Sequence, residues 1–177
     1  MKVKIAFFLI ILSFLLMFIY GIRKNNNYIN IFKIIGDHFK IFDGAKKHII
    51  ILYIVPIMMA IGISMIYVFS NSMVEAIMVV ISVVISALLS FQGGILNITH
   101  NKENKRKTEI LEETNSSINF TVLINIILVF FMLIYVAIEN YIFRTIFTGI
   151  ITYILLITFL TIMLIVKRIR VLFGQDN

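Results

Sequence analysis

The chain has 177 residues, 60% of them hydrophobic and 14% charged, with a formal net charge of +7 at pH 7. Soluble domains are about 45–50% apolar, so this composition leaves no room for a soluble enzyme domain and indicates one membrane domain over 1–177. The absence of cysteine excludes disulfides and thiolate metal sites. We expect an all-α polytopic membrane protein with four to five transmembrane helices, without cofactor or metal.

The first apolar segment, 5–22, is long enough to act as a first span or as an anchor. Lys2 and Lys4 precede it, as in a secretory signal, but the residues from Phe18 to Gly21 make a poor cleavage site. We therefore interpret it as part of the membrane domain, and whether it spans fully stays open at this point.

Segment 28–43 alternates apolar and polar residues at three- and four-residue steps, which predicts an amphipathic helix lying in the membrane interface. Asn25, Asn26 and Asn27 precede it as candidate N-caps. We favour an elbow that joins two spans, and the alternative is a collar that couples ligand binding to helix movement. The apolar side chains are Tyr28, Ile31, Phe32, Ile35, Phe39 and Phe42, and the polar ones are Asn30, Lys33, Asp37 and Lys40.

The second span is predicted over 48–70. Pro56 removes one backbone donor and tends to kink a helix, and Gly62 follows in the middle of the segment. These two residues are candidates for a gating hinge, although a static packing kink is the more common role of such a proline.

The third span, 73–98, carries a row of small residues at four-residue spacing: Ser82, Ser86, Ser90 and Gly94. Such a row lets two helices approach closely, with serine hydroxyls bonding across the contact. The alternative is that the hydroxyls line a narrow wet path in an oligomer. The spacing does not distinguish a packing seam from a pore lining.

Segment 99–118 is strongly polar and has no proline or glycine, so we predict a cytoplasmic helical hairpin. Basic residues here and on the interfacial helix are candidates for binding an anionic ligand or anionic lipid. Three glutamates, Glu109, Glu112 and Glu113, oppose part of this charge. The candidate basic residues are Lys102, Lys105, Arg106, Lys107, Lys33 and Lys40.

The last two spans are predicted over 119–138 and 145–166, followed by a tail at 167–177. Asn125 is a lone amide inside the fourth span, and we expect it to bond a neighbouring helix. No ionisable residue lies deep in any span, which argues against a transporter with titratable coupling.

Lysine and arginine fall almost wholly on the segments 23–47, 99–118 and 167–177, whereas the two remaining short connections hold only Arg144. Cytoplasmic loops collect basic residues. We therefore expect a multi-pass protein of the cell (inner) membrane, with these three regions in the cytoplasm and the spans from 48 onward forming two hairpins.

Three features together resemble a known family: the loop IFKIIGDHFKIFDGAKKH, the span that begins IIILYIVPIMMAIGIS, and the lysine-rich hairpin. They resemble the small multi-pass membrane effectors of bacterial anti-phage defence, in particular the channel effector of the Hailong system. The resemblance implies a homo-oligomeric channel that depolarises the membrane. It also implies gating by a nucleotide or oligonucleotide ligand made by a partner nucleotidyltransferase. It assigns no individual residue.

Two other functions stay open. One is a non-conducting partner, such as an assembly, immunity or anchoring protein, in which the serine row is a packing seam. The other is a small lipid-modifying enzyme, for which His38, next to Asp37, and His100 are the only candidates. Neither histidine has a credible catalytic partner in the sequence, so we expect no enzymatic activity.

Overall fold

The computed structural model describes residues 12, 13, 16, 19, 30–42, 49–98 and 105–173. All elements within these ranges are helical, which confirms the predicted all-α class. They are α1 (Ile31–Lys40), a π-helical turn (Ile50–Ile54) that leads into α2 (Val55–Ile66), α3 (Asn71–Ile98), α4 (Lys105–Ala137) and α5 (Tyr141–Phe173).

Three helices begin directly after a polar side chain that caps them. Asn30 and Ser70 each accept a hydrogen bond from the backbone N–H three residues on, and Asn140 accepts one from the N–H two residues on. Such caps satisfy backbone donors that have no partner within the helix. They explain why these helices begin at 31, 71 and 141 rather than at 28, 73 and 145. The candidate caps at 25–27 lie outside the described residues.

The second predicted span, 48–70, is a helix only over Ile50–Ile66. Its first turn is π-helical, with the N–H of Val55 bonded to the carbonyl of Ile50, and Pro56 follows in the first turn of the α-helical part. Because the π-helical turn leads directly into α2, Pro56 cannot continue the backbone hydrogen bonding of that turn, since it has no N–H. The irregular backbone therefore precedes the proline. Gly62 is exposed within regular helix.

Three of the helices, α3, α4 and α5, are long and apolar enough to cross a membrane by length and composition. The chain is therefore a multi-pass membrane protein, as predicted. α4 and α5 have 33 residues each, which corresponds to about 50 Å against a hydrocarbon thickness of about 30 Å. The count of four to five spans stays a prediction. Of the predicted span 5–22, only residues 12, 13, 16 and 19 are described, and residues 99–104 and 174–177 lie outside the described ranges.

The three long helices and α2 pack in the order α3–α4–α5–α2, and α1 packs against α4. One core cluster centres on Leu128, Met132 and Tyr135 of α4, and a second includes Ile118 of α4 and Ile165 of α5. α4 and α5 are thus the inner helices of the described bundle. The end that carries Lys105 and Arg168 is called the basic end below, and the other end, which carries Arg144, is called the opposite end.

Gly149 of α5 lies at a close contact between α2 and α5. A Cβ there would lie 3.3 Å from the hydroxyl of Ser64 and 4.0 Å from the carbonyl of Ala60. We expect Gly149→Leu to push α2 away and to lower the stability of the protein by about 1–3 kcal/mol. Thermal unfolding in detergent, followed by circular dichroism, would measure this loss.

The matched control is Gly62→Leu in α2, where a Cβ would meet nothing within 4 Å. We expect this variant to unfold at or above the temperature of the unmodified chain, because leucine has the higher helix propensity. Equal losses in both variants would show that the close approach of α2 and α5 is not what Gly149 permits.

Candidate functional site

The small-residue row of α3 lies on the exposed side of that helix. Ser82, Ser86, Ser90 and Gly94 are all exposed, whereas the opposite side of α3 packs on α4 through residues such as Ile81. The hydroxyls of Ser82 and Ser86 donate to backbone carbonyls one turn earlier, at 2.9 and 3.0 Å. These two hydroxyls are therefore satisfied within their own helix, and the row leaves a smooth surface of small groups.

A second polar surface, of which only Asn125 was predicted from the sequence to make an interhelical contact, is buried between α4 and α5. On α4 its members recur at three- and four-residue steps. This spacing is visible in the sequence and places the residues on one face of the helix. We call this set the inner polar seam, and every member is buried. It consists of Thr114, Ser117, Thr121 and Asn125 on α4 and Thr158 and Thr161 on α5.

Asn125 forms the interhelical bond that its position in the sequence predicts. Its side-chain oxygen accepts a hydrogen bond from the hydroxyl of Thr158 at 3.2 Å, and its amide nitrogen donates to the carbonyl of Thr121 at 2.8 Å. An amide inside a membrane helix needs such partners. This part of the inner polar seam therefore holds two helices together.

Gln92 of α3 makes a second polar link, nearer the basic end. Its amide nitrogen donates to the side-chain oxygens of Asn115 and Asn119 on α4, both at 2.8 Å. These contacts do not follow from the sequence pattern, because they join residues more than 20 positions apart. Gln92 thus fixes α3 against α4 beside the exposed small-residue row.

A partly buried ion pair joins α4 and α5 at the basic end. Arg168 donates to the backbone carbonyl of Glu113 at 3.1 Å and to the hydroxyl of Ser117 at 2.9 Å, and it lies 3.3 Å from the Glu113 carboxylate. The Arg168 side chain is only 13% exposed. A charge-assisted network of this kind stabilises one relative position of the two helices.

His38 anchors α1 to the bundle. It is fully buried, its ring stacks on Phe120 of α4 with centroids 4.0 Å apart, and its Nε2 lies 2.7 Å from the hydroxyl of Tyr53. Its Nδ1 is buried without a hydrogen-bond partner among the described residues. Burial, and secondarily the charge of Arg168, lowers the pKa of His38 to about 4, so the ring is neutral at pH 7. It packs as an aromatic residue, which sequence periodicity alone did not indicate.

At the opposite end, the segment between α2 and α3 is held by three side chains. The carbonyl of Phe69 accepts hydrogen bonds from Tyr135 and from Arg144 (3.1 Å), and the N–H of Phe69 donates to Thr148 at 3.4 Å. The guanidinium of Arg144 also lies over the Tyr135 ring, 4.8 Å from its centroid. Its role there is structural, since it closes this end of the bundle.

The structure does not gather those predicted basic residues that it describes in one cleft. Lys33 is exposed on α1, Lys40 pairs with Asp37 at 3.0 Å, and Lys102 lies outside the described residues. Lys105, Arg106 and Lys107 form the first turn of α4. A cleft of about 460 Å³ between α1 and α4 includes Lys40 in its wall but is otherwise acidic, with Asp37, Glu109, Glu112 and Glu113.

Among the described residues there is no group of three histidine, cysteine, aspartate or glutamate side chains placed to hold a metal ion. No protein-family model, curated protein or solved structure matches the chain. The candidate functional regions of the described chain are the two polar surfaces and the basic end of the bundle.

Proposed function

We propose that the chain forms a homo-oligomeric channel in the cell (inner) membrane, with four to five spanning helices per protomer. In this proposal an anionic, nucleotide-type ligand made by a partner nucleotidyltransferase opens it from the cytoplasmic face. Opening depolarises the membrane as part of anti-phage defence. The ligand and the role in defence come from the resemblance to small membrane effectors, and the proposal assigns no catalytic role.

The observation that carries the channel proposal is the exposed row of small residues on α3. Ser82, Ser86, Ser90 and Gly94 lie on the surface of one protomer, while the inner polar seam is closed by direct contact between α4 and α5. A path within one protomer would have to separate these helices. A ring of protomers with their α3 helices near the axis would instead place small, weakly polar groups along a shared path.

For the ligand, the first turn of α4 supports the proposal more than the cleft beside α1. Lys105, Arg106 and Lys107 follow one another at the start of a helix, where the backbone N–H groups also favour an anion. The acidic cleft beside Lys40 repels phosphate. We therefore propose that the ligand contacts α4 at its beginning, in the turn that Lys105, Arg106 and Lys107 form.

The conductance of purified protein in planar lipid bilayers tests this function. Recordings are made without ligand, with mononucleotides, and with a short oligonucleotide on one side. We expect current that depends on one of these anions and on the side of addition. A protein that is folded and oligomeric but passes no current under any of these conditions would refute the channel proposal.

A non-conducting membrane partner is the second candidate, and one observation favours it. The hydroxyls of Ser82 and Ser86 are bonded to their own helix, as in a seam where two helices pack closely. In this candidate function the row binds another membrane protein or a second copy without enclosing a path.

Ser86→Leu distinguishes the two candidates. In a channel, the larger side chain is expected to reduce the single-channel conductance several-fold or more, while the oligomer still forms. In a packing seam, it is expected to abolish assembly, because two helices can no longer approach closely. Conductance and chemical cross-linking in the same proteoliposomes measure both properties. Ser86→Ala keeps the residue small and is expected to leave both unchanged.

A further inference from the structure

A separate cleft of about 270 Å³ lies at the basic end, between the end of α1 and the helices α4 and α5. Its walls combine two chemistries. The aliphatic side chains of Ile41, Ile110, Leu164 and Val171 line it, together with the basic side chains of Lys167 and Arg168. A cleft whose walls carry both apolar and cationic side chains suits an amphiphilic anion.

The position of this cleft along α5 places it at the membrane boundary. Residues 145–166 contain no charged side chain and extend over about 33 Å as a helix, which matches a hydrocarbon thickness of about 30 Å. Lys167 and Arg168 follow immediately. Leu164 and Val171 lie about one turn before and one turn after them, so the cleft reaches from the hydrocarbon edge into the headgroup layer.

The charge of the cleft is positive. Glu113 also lines it, but its carboxylate pairs with Arg168 at 3.3 Å. The negative charge of Glu113 is therefore balanced by Arg168, and the positive charge of Lys167 remains. Lys167 is exposed, and no ion pair to it occurs within the described parts of the chain. An arriving phosphate would meet the Lys167 ammonium first, with the Arg168 guanidinium behind it.

We propose that this cleft binds an anionic phospholipid, with the headgroup phosphate at Lys167, the glycerol region against Ile110 and Val171, and an acyl chain that passes Leu164 toward the hydrocarbon. Basic pockets between spanning helices on the positively charged side of a membrane protein are suited to such headgroups. The aliphatic wall and the depth in the membrane favour a lipid over a soluble anion. The bound lipid would bridge α1, α4 and α5. This inference depends on α5 spanning the membrane and not on ion conduction.

Native mass spectrometry of the full chain in mild detergent tests the proposal. The protein is mixed with equal amounts of phosphatidylglycerol and phosphatidylcholine, and the lipid retained by each protomer is counted. We expect the unmodified chain to prefer phosphatidylglycerol. Lys167→Gln is expected to weaken that binding about fivefold, the factor that corresponds to about 1 kcal/mol per basic residue near a surface. Lys167→Arg is expected to retain it.

The matched control is Arg170→Gln. Arg170 is also exposed on α5 and at nearly the same depth, but it does not line the cleft, so we expect unchanged lipid retention. Equal losses in Lys167→Gln and Arg170→Gln would overturn the proposal and indicate a diffuse attraction of anionic lipid.

A separate titration with inorganic phosphate distinguishes a lipid site from a free-anion site. If phosphate binds at Lys167 while phosphatidylglycerol shows no preference over phosphatidylcholine, the cleft takes a soluble anion and the lipid proposal is overturned. Lipid retention is measured without any current. The result therefore supports or overturns the lipid proposal whether or not the chain conducts ions.

Discussion

Arg168→Met is expected to lower the stability of the basic end by about 2–3 kcal/mol. Removing one partner of a buried ion pair costs about 3–5 kcal/mol, and we take a smaller value because the Glu113 side chain is 36% exposed. The substitution removes the guanidinium from the carboxylate and carbonyl of Glu113 and from the Ser117 hydroxyl. Thermal unfolding in detergent, followed by circular dichroism, would show a lower midpoint.

Three further variants separate the ion pair from other effects of the change: a control at Arg170, Glu113→Gln alone, and Glu113→Gln combined with Arg168→Met. Arg170→Met makes the same substitution at an exposed position of the same helix and is expected to change stability by less than about 0.5 kcal/mol. Glu113→Gln combined with Arg168→Met removes both charges, and its cost is expected to fall below the sum of the two single costs. Additive costs would show that Arg168 does not act through Glu113.

Acidification is expected to release α1 from the bundle through His38. The pKa of the buried His38 is lowered to about 4 from an ordinary value of about 6.5. Between these values the undocked helix binds more protons than the docked one, so docking weakens as the pH falls from about 6.5 to about 4 and becomes constant below that. The full difference corresponds to about 3 kcal/mol.

Four groups besides the imidazole bear on this titration. The Tyr53 hydroxyl lies against Nε2, and the positive charge of Arg168 disfavours protonation. On α1 itself, Asp37 and Lys40 form an exposed pair at 3.0 Å. The Phe120 ring that stacks on His38 is not titratable. No carboxylate is found in contact with the imidazole among the described residues, so an imidazolium there would lack a compensating partner.

Hydrogen exchange of the α1 amides in nanodiscs at pH 7.5 and pH 5, corrected for intrinsic rates, measures this release. We expect a loss of protection at pH 5 in the unmodified chain. His38→Phe keeps an aromatic ring against Phe120 and cannot be protonated, so its α1 protection is expected to be independent of pH over the same range. A pH-dependent loss of protection of the same size in His38→Phe would assign the effect to other groups.

Several elements of the fold could be predicted from the sequence because hydrophobicity and chain length decide them locally. Long uncharged apolar segments must satisfy their backbone internally in lipid, so the helical class and the membrane-spanning segments of α3, α4 and α5 followed directly. The irregular start of α2 did not follow. Pro56 suggested a kink around itself, whereas the structure places a π-helical turn at Ile50–Ile54, before the proline.

The candidate sites were less accessible to prediction, because a helix pattern shows which residues share a face but not what that face meets. The four-residue spacing of Ser82, Ser86 and Ser90 was visible, yet only the packing order α3–α4–α5–α2 shows that this face lies on the surface of the described bundle. Asn125 needed a partner, and the structure identifies it as Thr158, 33 residues away.

The sequence by itself determined the all-helical class, the membrane environment and the concentration of positive charge in a few segments, since these depend on composition and local periodicity. Only the tertiary structure decided which polar groups are buried and which meet each other. His38 with Tyr53 and Phe120, and Arg168 with Glu113, join residues far apart in the chain. Their burial and pairing depend on how separate helices pack, because a hydrogen bond or ion pair forms only where packing brings both partners within about 3 Å.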